Sequence, residues 1–267
     1  MAGLTLAATL ARASCDVTLF EAATHFEDIG AGIQLSPNAT SVLDALGFDL
    51  SALPAMRPDV IEVHSFKGPR LMSLPIAQNA HAPYLHLHRA DLIEFLVDTA
   101  QRAGVKMAMN SRGLIEKDKQ GFSLKLGKQK QRFDLCIAAD GVHSATARGA
   151  HLGKETRGTA WRAVIKASAV SDWARSTPSL IIGKARHIVT YPIRDGALIN
   201  IVAVEDRIYD AKDGWDIKVP VDHLRTTFSD FGPQALDLLR NVTTTRRWAL
   251  NTHIAVSYTH LTLPTIA

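Results

Sequence analysis

The sequence has very few cysteines, no long apolar run and little net charge. Cys15 and Cys136 are the only cysteines in 267 residues, which excludes a disulfide framework and a cysteine-rich zinc site and favours a reducing, cytoplasmic compartment. No apolar stretch reaches the roughly 18 residues that a membrane-spanning helix needs. A net charge of +4 is too small to indicate nucleic-acid binding, and it suits an anionic cofactor or substrate.

The N-terminal residues are apolar, as in a signal peptide, but their charges have the wrong order. No lysine or arginine precedes the run from Met1 to Ala11, and Arg12 and Asp16 follow it closely, whereas a signal peptide begins with positive charge. The pattern instead predicts a buried helix over 2–13 and then a short strand over 15–20. Since these form the second half of a βαβ unit, we expect the first strand to precede Met1.

Periodicity predicts an α/β half followed by a mostly β half. Helical spacing predicts a helix over 37–46, with Ser36 as its N-cap, and a second helix over 89–103. Alternating and continuous apolar runs predict the other elements. These are strands at 59–66, 134–139 (buried), 159–169, 179–183, 186–191 and 197–204, a small antiparallel meander within 113–133, and helices near 220–228 and 233–240.

Gly3, Glu21 and the helix between them match the tail of a dinucleotide-binding pattern. In G-x-G-x-x-G the third glycine lets helix and strand pack closely, and an acidic residue after the second strand binds ribose hydroxyls. Only the third glycine is present here. An ordinary αβ unit with a surface glutamate explains this half of the motif equally well.

Four segments follow one another at fitting separations: Val17–Glu21, Gly30–Asn38, His88–Leu92 and Asp134–Ser144. Together they resemble the class A flavoprotein monooxygenases, the group of salicylate and para-hydroxybenzoate hydroxylases, from residue 1 to about residue 250. The resemblance implies an α/β fold, with a Rossmann-like FAD-binding domain and a β-rich substrate domain, both incomplete.

The switch from βαβ patterning to runs of strands predicts the domain boundaries. We expect the FAD-binding domain at 1–58 and 85–150, and the substrate-binding β-sheet domain at 59–84 and 151–250. Residues 257–267 resemble translated sequencing-adapter read-through, so we expect a non-native tail that packs poorly. The family's Gly-Asp-Ala-Ala-His motif does not occur. We therefore expect a chain truncated at both ends that binds FAD weakly by itself.

The resemblance assigns seven residues to the cofactor. They are Gly3, Glu21, Gly32, Gln34, Arg89, Asp140 and Gly141. Glu21 would bind the adenosine ribose, and Arg89 the ribityl or pyrophosphate region. Asp140 and Gly141 would form a motif linking the pyrophosphate region to nicotinamide binding, and the turn from Gly30 to Gln34 would lie near the isoalloxazine. A surface arginine and an ordinary aspartate, each at a helix start, are the alternatives for Arg89 and Asp140.

Two further residues are candidates for contact with substrate. Tyr191 and Asn200 belong to segments that resemble the strand pair lining the family's substrate pocket, although a plain β-hairpin would give the same pattern. His81, His86 and His88 could suggest a metal site, but the alternating leucines between them favour an ordinary strand and no metal.

The reaction implied by the resemblance is hydroxylation of a phenolic or aryl-carboxylate substrate by FAD, with NADH or NADPH as cosubstrate and O2. In such enzymes the cofactor performs the difficult chemistry, while the protein binds, orients and excludes water. The sequence does not identify a general base or an oligomeric state. A non-hydroxylating FAD-dependent oxidoreductase and an inactive fragment that binds no cofactor are the alternative interpretations.

Overall fold

The computed structural model describes residues 1–26, 31–76, 82–118, 121–141, 144, 154–209 and 217–253. The tail at 257–267, Gly30, His81 and residues 142–143 of the Asp134–Ser144 segment lie outside these ranges.

Helices and short strands alternate in the first half of the chain. In order, the elements are α1 (Ala2–Arg12), β1 (Thr18–Phe20), β2 (Gly32–Leu35), α2 (Pro37–Ala45), β3 (Val60–Ser65), β4 (Arg70–Pro75), β5 (Leu85–His88), α3 (Arg89–Arg102), β6 (Lys106–Ala108), β7 (Gly113–Asp118), β8 (Gly121–Leu126) and β9 (Gln129–Phe133). These bounds confirm the predicted helices near 2–13, 37–46 and 89–103, and the meander.

Long strands dominate the second half. The elements are β10 (Lys154–Lys166), α4 (Asp172–Ser176), β11 (Ser179–Gly183), β12 (Arg186–Ile193), β13 (Leu198–Glu205), β14 (Ile217–Val219), α5 (Val221–Thr227), α6 (Pro233–Arg240) and β15 (Thr245–His253). The predicted strands and the two predicted helices in this half are confirmed within a few residues.

Small sheets and one large sheet organise the described residues. Strands β1 and β6 pair in parallel, and β2 pairs with β5 antiparallel. The large sheet has the order β14-β15-β10-β13-β12-β11-β3-β4, so the hairpin of β3 and β4 lies at one edge of it. Within this sheet β3 pairs with β11 in parallel, Glu62 lying opposite Ser179.

The two faces of the large sheet differ in burial. Successive side chains in a strand point to opposite faces, and one face packs against α4, α5 and α6 in a hydrophobic core that includes Trp161, Ile188, Ile201, Phe228 and Leu238. The other face is half-buried at Arg162, Val189 and Val202, and it is buried at Tyr191 and Asn200, where β2 lies against it. We call it the open face.

A second core lies around α1, α3 and β5. It includes Leu4, Ala8, Leu85, Leu87 and Leu96. The helix α1 contributes only its Leu4, Ala7 and Ala8 side, so the prediction that α1 is buried all round is wrong. It packs against α3, and the remaining residues of α1 are half-buried or exposed.

The predicted buried strand at 134–139 is also wrong. These residues form no strand, and Leu135 and Ile137 are 64% and 48% exposed. Cys136, in the middle of this segment, is only half-buried. The physical reason is that no strand in the described part of the chain forms a ladder with this segment, and an isolated strand cannot bury its two faces.

In the part of the chain that the structure describes, no helix is both long enough and apolar enough to span a membrane.

Candidate functional site

Glu21 lies directly after β1 and is fixed there by three hydrogen bonds. Its backbone N–H donates to the Ala108 carbonyl at 2.9 Å, and its carbonyl accepts from the Ser111 N–H at 2.7 Å. Its side-chain Oε1 accepts from the Ala23 N–H at 2.9 Å. The carboxylate is half-buried, and Oε2 remains as an acceptor at the end of the parallel pair β1 and β6.

Gly3 brings the first turn of α1 against the segment that leads to Asp140. A Cβ built on Gly3 would lie 3.2 Å from Cβ of Ala139, which is tighter than an ordinary contact. Asp140 and Gly141 follow immediately and are exposed. Gly141 has a φ of +72°, and a Cβ there would meet nothing within 4 Å, so glycine is suited to this position by its backbone conformation.

Arg89 connects this region to β2. It is the first residue of α3, and its N–H donates to the Ala31 carbonyl at 2.9 Å. Burial lowers the pKa of the Met1 amino group, the charge of Arg89 lowers it further, and Glu21 raises it. Arg89 and Glu21 therefore both lie close to the start of α1.

The start of α1 has the properties of an anion site. The helix has no side-chain cap hydrogen bond and no acidic residue in its first turn, so no side chain of its own neutralises its positive end. Backbone N–H groups at a helix start, together with a nearby guanidinium, suit phosphate. With Arg89 supplying the guanidinium and Glu21 an acceptor for sugar hydroxyls, these residues fit the adenosine and pyrophosphate parts of a dinucleotide.

Gly32 joins β2 to the large sheet. Its N–H donates to Oδ1 of Asn200 at 2.6 Å. A Cβ on Gly32 would lie 2.6 Å from Cγ of Asn200 and 2.7 Å from Cε2 of Tyr191. These short distances leave room only for glycine. They also show that β2, which carries the candidate cofactor residue Gly32, lies in direct contact with the candidate substrate residues Asn200 and Tyr191.

Asn200 is fully buried, and its Nδ2 has no hydrogen-bond partner among the described residues. Its amide oxygen is already engaged by Gly32, so its visible role is to hold β2 against β13. Tyr191, directly opposite Asn200 in the ladder, is 3% exposed. Burial raises its pKa, which keeps the phenol protonated at neutral pH.

His86 forms a buried polar contact beside Tyr191. Gln34 Nε2 donates to His86 Nε2 at 3.0 Å, and the rings of His86 and Tyr191 lie 4.5 Å apart between centroids. Burial lowers the pKa of His86 to about 4, so the ring is neutral. Because Nε2 accepts, Nδ1 carries the proton, and it has no partner in the described part of the chain.

The open face adds a cation and a neutral base that the sequence analysis did not identify. Arg162 stacks on Trp248, with Cζ 4.0 Å from the ring centroid. His187 lies on β12 four residues before Tyr191, in a shallow groove with Leu180 and Asp206. Burial lowers the pKa of His187 and Asp206 raises it, with a net decrease. The sequence offered only the alternation along β10 and β12, which separates two faces without showing which of them is covered.

The nine candidate residues thus fall into two adjoining groups. Gly3, Glu21, Asp140 and Gly141 lie at the start of α1, whereas Gly32, Gln34, Tyr191 and Asn200 lie where β2 meets the large sheet; Arg89 lies between them. Within the described ranges, no group of three or more His, Cys, Asp and Glu could hold a metal ion.

Comparisons with known proteins show which family the chain belongs to. The FAD binding domain family matches residues 1–260. The chain is 32% identical to 3-amino-4-hydroxybenzoate 2-monooxygenase of Streptomyces cremeus over 215 residues, covering 76% of this chain and 54% of that protein. It is 30% identical to 3-hydroxybenzoate 6-hydroxylase of Polaromonas naphthalenivorans, covering 92% of this chain and 64% of that protein.

The fold has counterparts among solved structures. A salicylate hydroxylase substrate complex superposes with a TM-score of 0.77 at 21% identity, covering 94% of this chain and 66% of that one. At this identity the likeness shows the fold alone. The chain spans from about half to just under two thirds of the curated relatives named above.

Proposed function

Because this chain belongs to the FAD binding domain family, we propose that its protein is an FAD-dependent monooxygenase that hydroxylates an aromatic substrate with NADH or NADPH and O2. The names of the similar proteins, which are hydroxylases of hydroxybenzoates, support this. The observation that carries the proposal is the contact of Gly32 with Asn200 and Tyr191. It joins β2, which the resemblance places near the isoalloxazine, to the sheet face that we propose for the aromatic substrate.

We further propose the domain division 1–58 and 85–150 for the cofactor and 59–84 and 151–250 for the substrate. Two observations support it. The hydrophobic residues form two separate clusters, and the hairpin of β3 and β4 joins the large sheet although it precedes β5 in sequence.

In this proposal the cofactor residues bind FAD at the two groups described above. The start of α1 and Arg89 would hold the pyrophosphate, and Glu21 the adenosine ribose. Bound FAD would supply hydride acceptance from the nicotinamide and activation of O2. The protein's own contribution is to fix these groups on rigid elements and to bring the ring of the substrate to the open face beside Tyr191.

We propose His187 as the proton acceptor for a phenolic substrate. A ring hydroxyl is a better electron donor once deprotonated, and a neutral imidazole can take that proton. The decreased pKa of His187 keeps the ring unprotonated at neutral pH, and its groove faces the open side of β12. Tyr191, with its raised pKa, is a hydrogen-bond donor and not a base.

The partners we propose are small: an aromatic substrate and O2, with no nucleic acid. A cytoplasmic location is proposed because both cysteines are free, as expected in a reducing compartment.

The experiment titrates FAD into the purified protein and follows quenching of flavin fluorescence. The holoprotein then receives NADH or NADPH, a phenolic acid and isotopically labelled O2. We expect Glu21→Gln to weaken FAD binding by roughly tenfold, the loss of one charge-assisted hydrogen bond. Asp16→Asn is the matched control, since Asp16 is an exposed acid near the other end of β1 that pairs with Lys106 at 2.8 Å.

Two results separate the alternatives. Absence of bound flavin would support the cofactor-free interpretation and contradict our proposal. Bound flavin that oxidises the nicotinamide without placing labelled oxygen in the substrate would identify a non-hydroxylating oxidoreductase.

A further inference from the structure

The turn between β12 and β13 has an unusual backbone. Arg194 and Asp195 have φ angles of +49° and +55°, and Gly196 follows at +81°. Left-handed backbone is uncommon for residues that carry a side chain, and it persists where contacts elsewhere hold it in place. Glycine suits only the last of the three positions, so the first two call for a reason outside the turn.

The Arg194 side chain supplies such a reason, because it reaches from the large sheet to α3. Its Nε donates to Oδ2 of Asp91 at 3.2 Å and its Nη2 donates to Oδ1 at 2.8 Å, which is a bidentate pair. Nη2 also donates to Nδ1 of His88 at 3.4 Å. The Asp91 side chain is only 13% exposed, and His88 is buried. The turn is therefore tied to the start of α3.

Arg89 lies between these two contact residues in the sequence. Its backbone N–H donates to the Ala31 carbonyl at 2.9 Å, so this junction is held through its backbone as well as by Arg194. The Asp91 carboxylate is engaged by Arg194, and residues two apart on a helix do not face each other. Asp91 therefore leaves the Arg89 guanidinium available to a different anion.

We propose that Arg194 is a positioning residue for the cofactor: through Asp91 and His88 it fixes Arg89 where Arg89 meets the FAD pyrophosphate. This proposal rests on the proposed function, because that function assigns Arg89 to the pyrophosphate. Arg194 belongs to the proposed substrate domain and Asp91 to the proposed cofactor domain. The same ion pair therefore joins the two proposed domains beside the candidate site.

The first test measures hydrogen exchange of the Arg89 N–H in the full chain without cofactor, because exchange reports local opening of the hydrogen bond to Ala31. Arg194→Met removes the guanidinium and keeps an unbranched side chain. We expect this amide to exchange roughly fivefold faster, the effect of losing a partly exposed ion pair. Arg194→Lys should give an intermediate rate, because lysine retains the charge without the planar fork.

Arg186→Met is the control for a general loss of stability. Arg186 lies at the other end of β12 and forms an equivalent bidentate pair with Asp230, at 2.9 and 3.0 Å. Its replacement should leave the exchange of the Arg89 N–H unchanged. Faster exchange to the same extent in both variants, or in neither, would contradict the proposal.

The second test titrates FAD into the original chain, Arg194→Met, Arg89→Met and the double variant, and follows quenching of flavin fluorescence. If Arg194 acts through Arg89, Arg194→Met should weaken FAD binding by roughly fivefold in the original chain. It should weaken binding by less than about twofold once Arg89 is replaced. Equal weakening in both backgrounds would indicate a merely structural contribution and would overturn the proposal. Circular dichroism verifies that each variant is folded.

The proposal and the proposed function fail separately. If the chain binds no FAD but Arg194→Met alone speeds exchange of the Arg89 N–H, the cofactor site is refuted and the hold of Arg194 on Arg89 is supported. FAD binding that is insensitive to Arg194→Met would leave the cofactor site intact and refute the positioning.

Discussion

The contact between Gly32 and the large sheet gives the most demanding prediction. Gly32→Ala adds a methyl group where Cγ of Asn200 would be 2.6 Å away, Cε2 of Tyr191 2.7 Å and Cβ of Asn200 2.8 Å. Real Cβ atoms do not approach carbon so closely. Asn200 is fully buried and Tyr191 is 3% exposed, so neither side chain can swing into solvent to relieve the clash.

The magnitude follows from two costs. Overpacking a well-packed site costs about 1–3 kcal/mol. If Asn200 instead moves away, the Gly32 N–H loses its 2.6 Å hydrogen bond, and an unsatisfied buried donor costs about 1–3 kcal/mol. The side chains around Gly32 will shift to the arrangement in which the clash and the lost hydrogen bond together cost least. We therefore expect the free energy of unfolding to fall by about 2–3 kcal/mol. A loss near 2 kcal/mol lowers the midpoint of thermal unfolding by roughly 4–8 °C in a chain of this size.

The assay is urea and thermal unfolding of the full chain, followed by circular dichroism. Gly3→Ala is the matched control, because it makes the same substitution inside α1 with a single 3.2 Å contact to Ala139, which lies in an exposed segment. Alanine is favoured over glycine by up to about 1 kcal/mol in a helix interior, and Gly3 lies in the first turn of α1, so this variant should be at least about as stable as the original. A Gly32→Ala protein that unfolds at the original midpoint would refute the reasoning.

Three further predictions concern charge. Burial lowers the pKa of His86 to about 4 in the folded protein, whereas its pKa in the unfolded chain is near 6.5. As the pH falls below 6.5, the unfolded state therefore takes up a proton first. The free energy of unfolding is at its full value above pH 6.5, and about 3 kcal/mol of it is lost as the pH falls towards 4. His86→Gln should flatten this part of the stability profile, and an unchanged slope would contradict the prediction. Asp91→Asn should cost about 1 kcal/mol, measured by urea unfolding, because Arg194 donates to Asp91 at 2.8 and 3.2 Å. Arg186→Met should cost about as much by the same assay, because it removes the two hydrogen bonds to Asp230 at 2.9 and 3.0 Å, and added salt should narrow the difference from the original chain.

The sequence predicted the elements well where the local pattern alone decides structure. The helix from Arg89 follows from apolar spacing, and α2 follows from Ser36 and Pro37, although the Ser36 side chain does not cap the helix. Residues 134–139 are also mostly apolar, but none of the described strands pairs with them. An apolar composition indicates that a segment could form a buried strand. Whether the strand forms depends on a neighbouring strand to pair with, and a local sequence pattern does not show whether there is one.

The candidate site was predictable in its residue types but not in its internal contacts. Gly32 and Asn200 were assigned to different partners, cofactor and substrate, and their mutual hydrogen bond depends on how β2 and β13 meet in space. Arg162 was missed because alternation along β10 separates two faces without stating which one is covered. Only the packing of α4, α5 and α6 against the Trp161 side leaves Arg162 on the open side.

The parallel pairing of β3 with β11 has a consequence for how the chain folds during synthesis. Glu62 leaves the ribosome long before Ser179, its partner in the ladder. Until β11 appears, the hairpin of β3 and β4 can form only a two-stranded ribbon, which is marginal in water. Its edge strand still exposes Leu71, Met72 and Leu74 after folding. Non-local pairing of this kind slows folding, so the nascent chain presents an unpaired apolar edge to chaperones throughout the interval between the two strands.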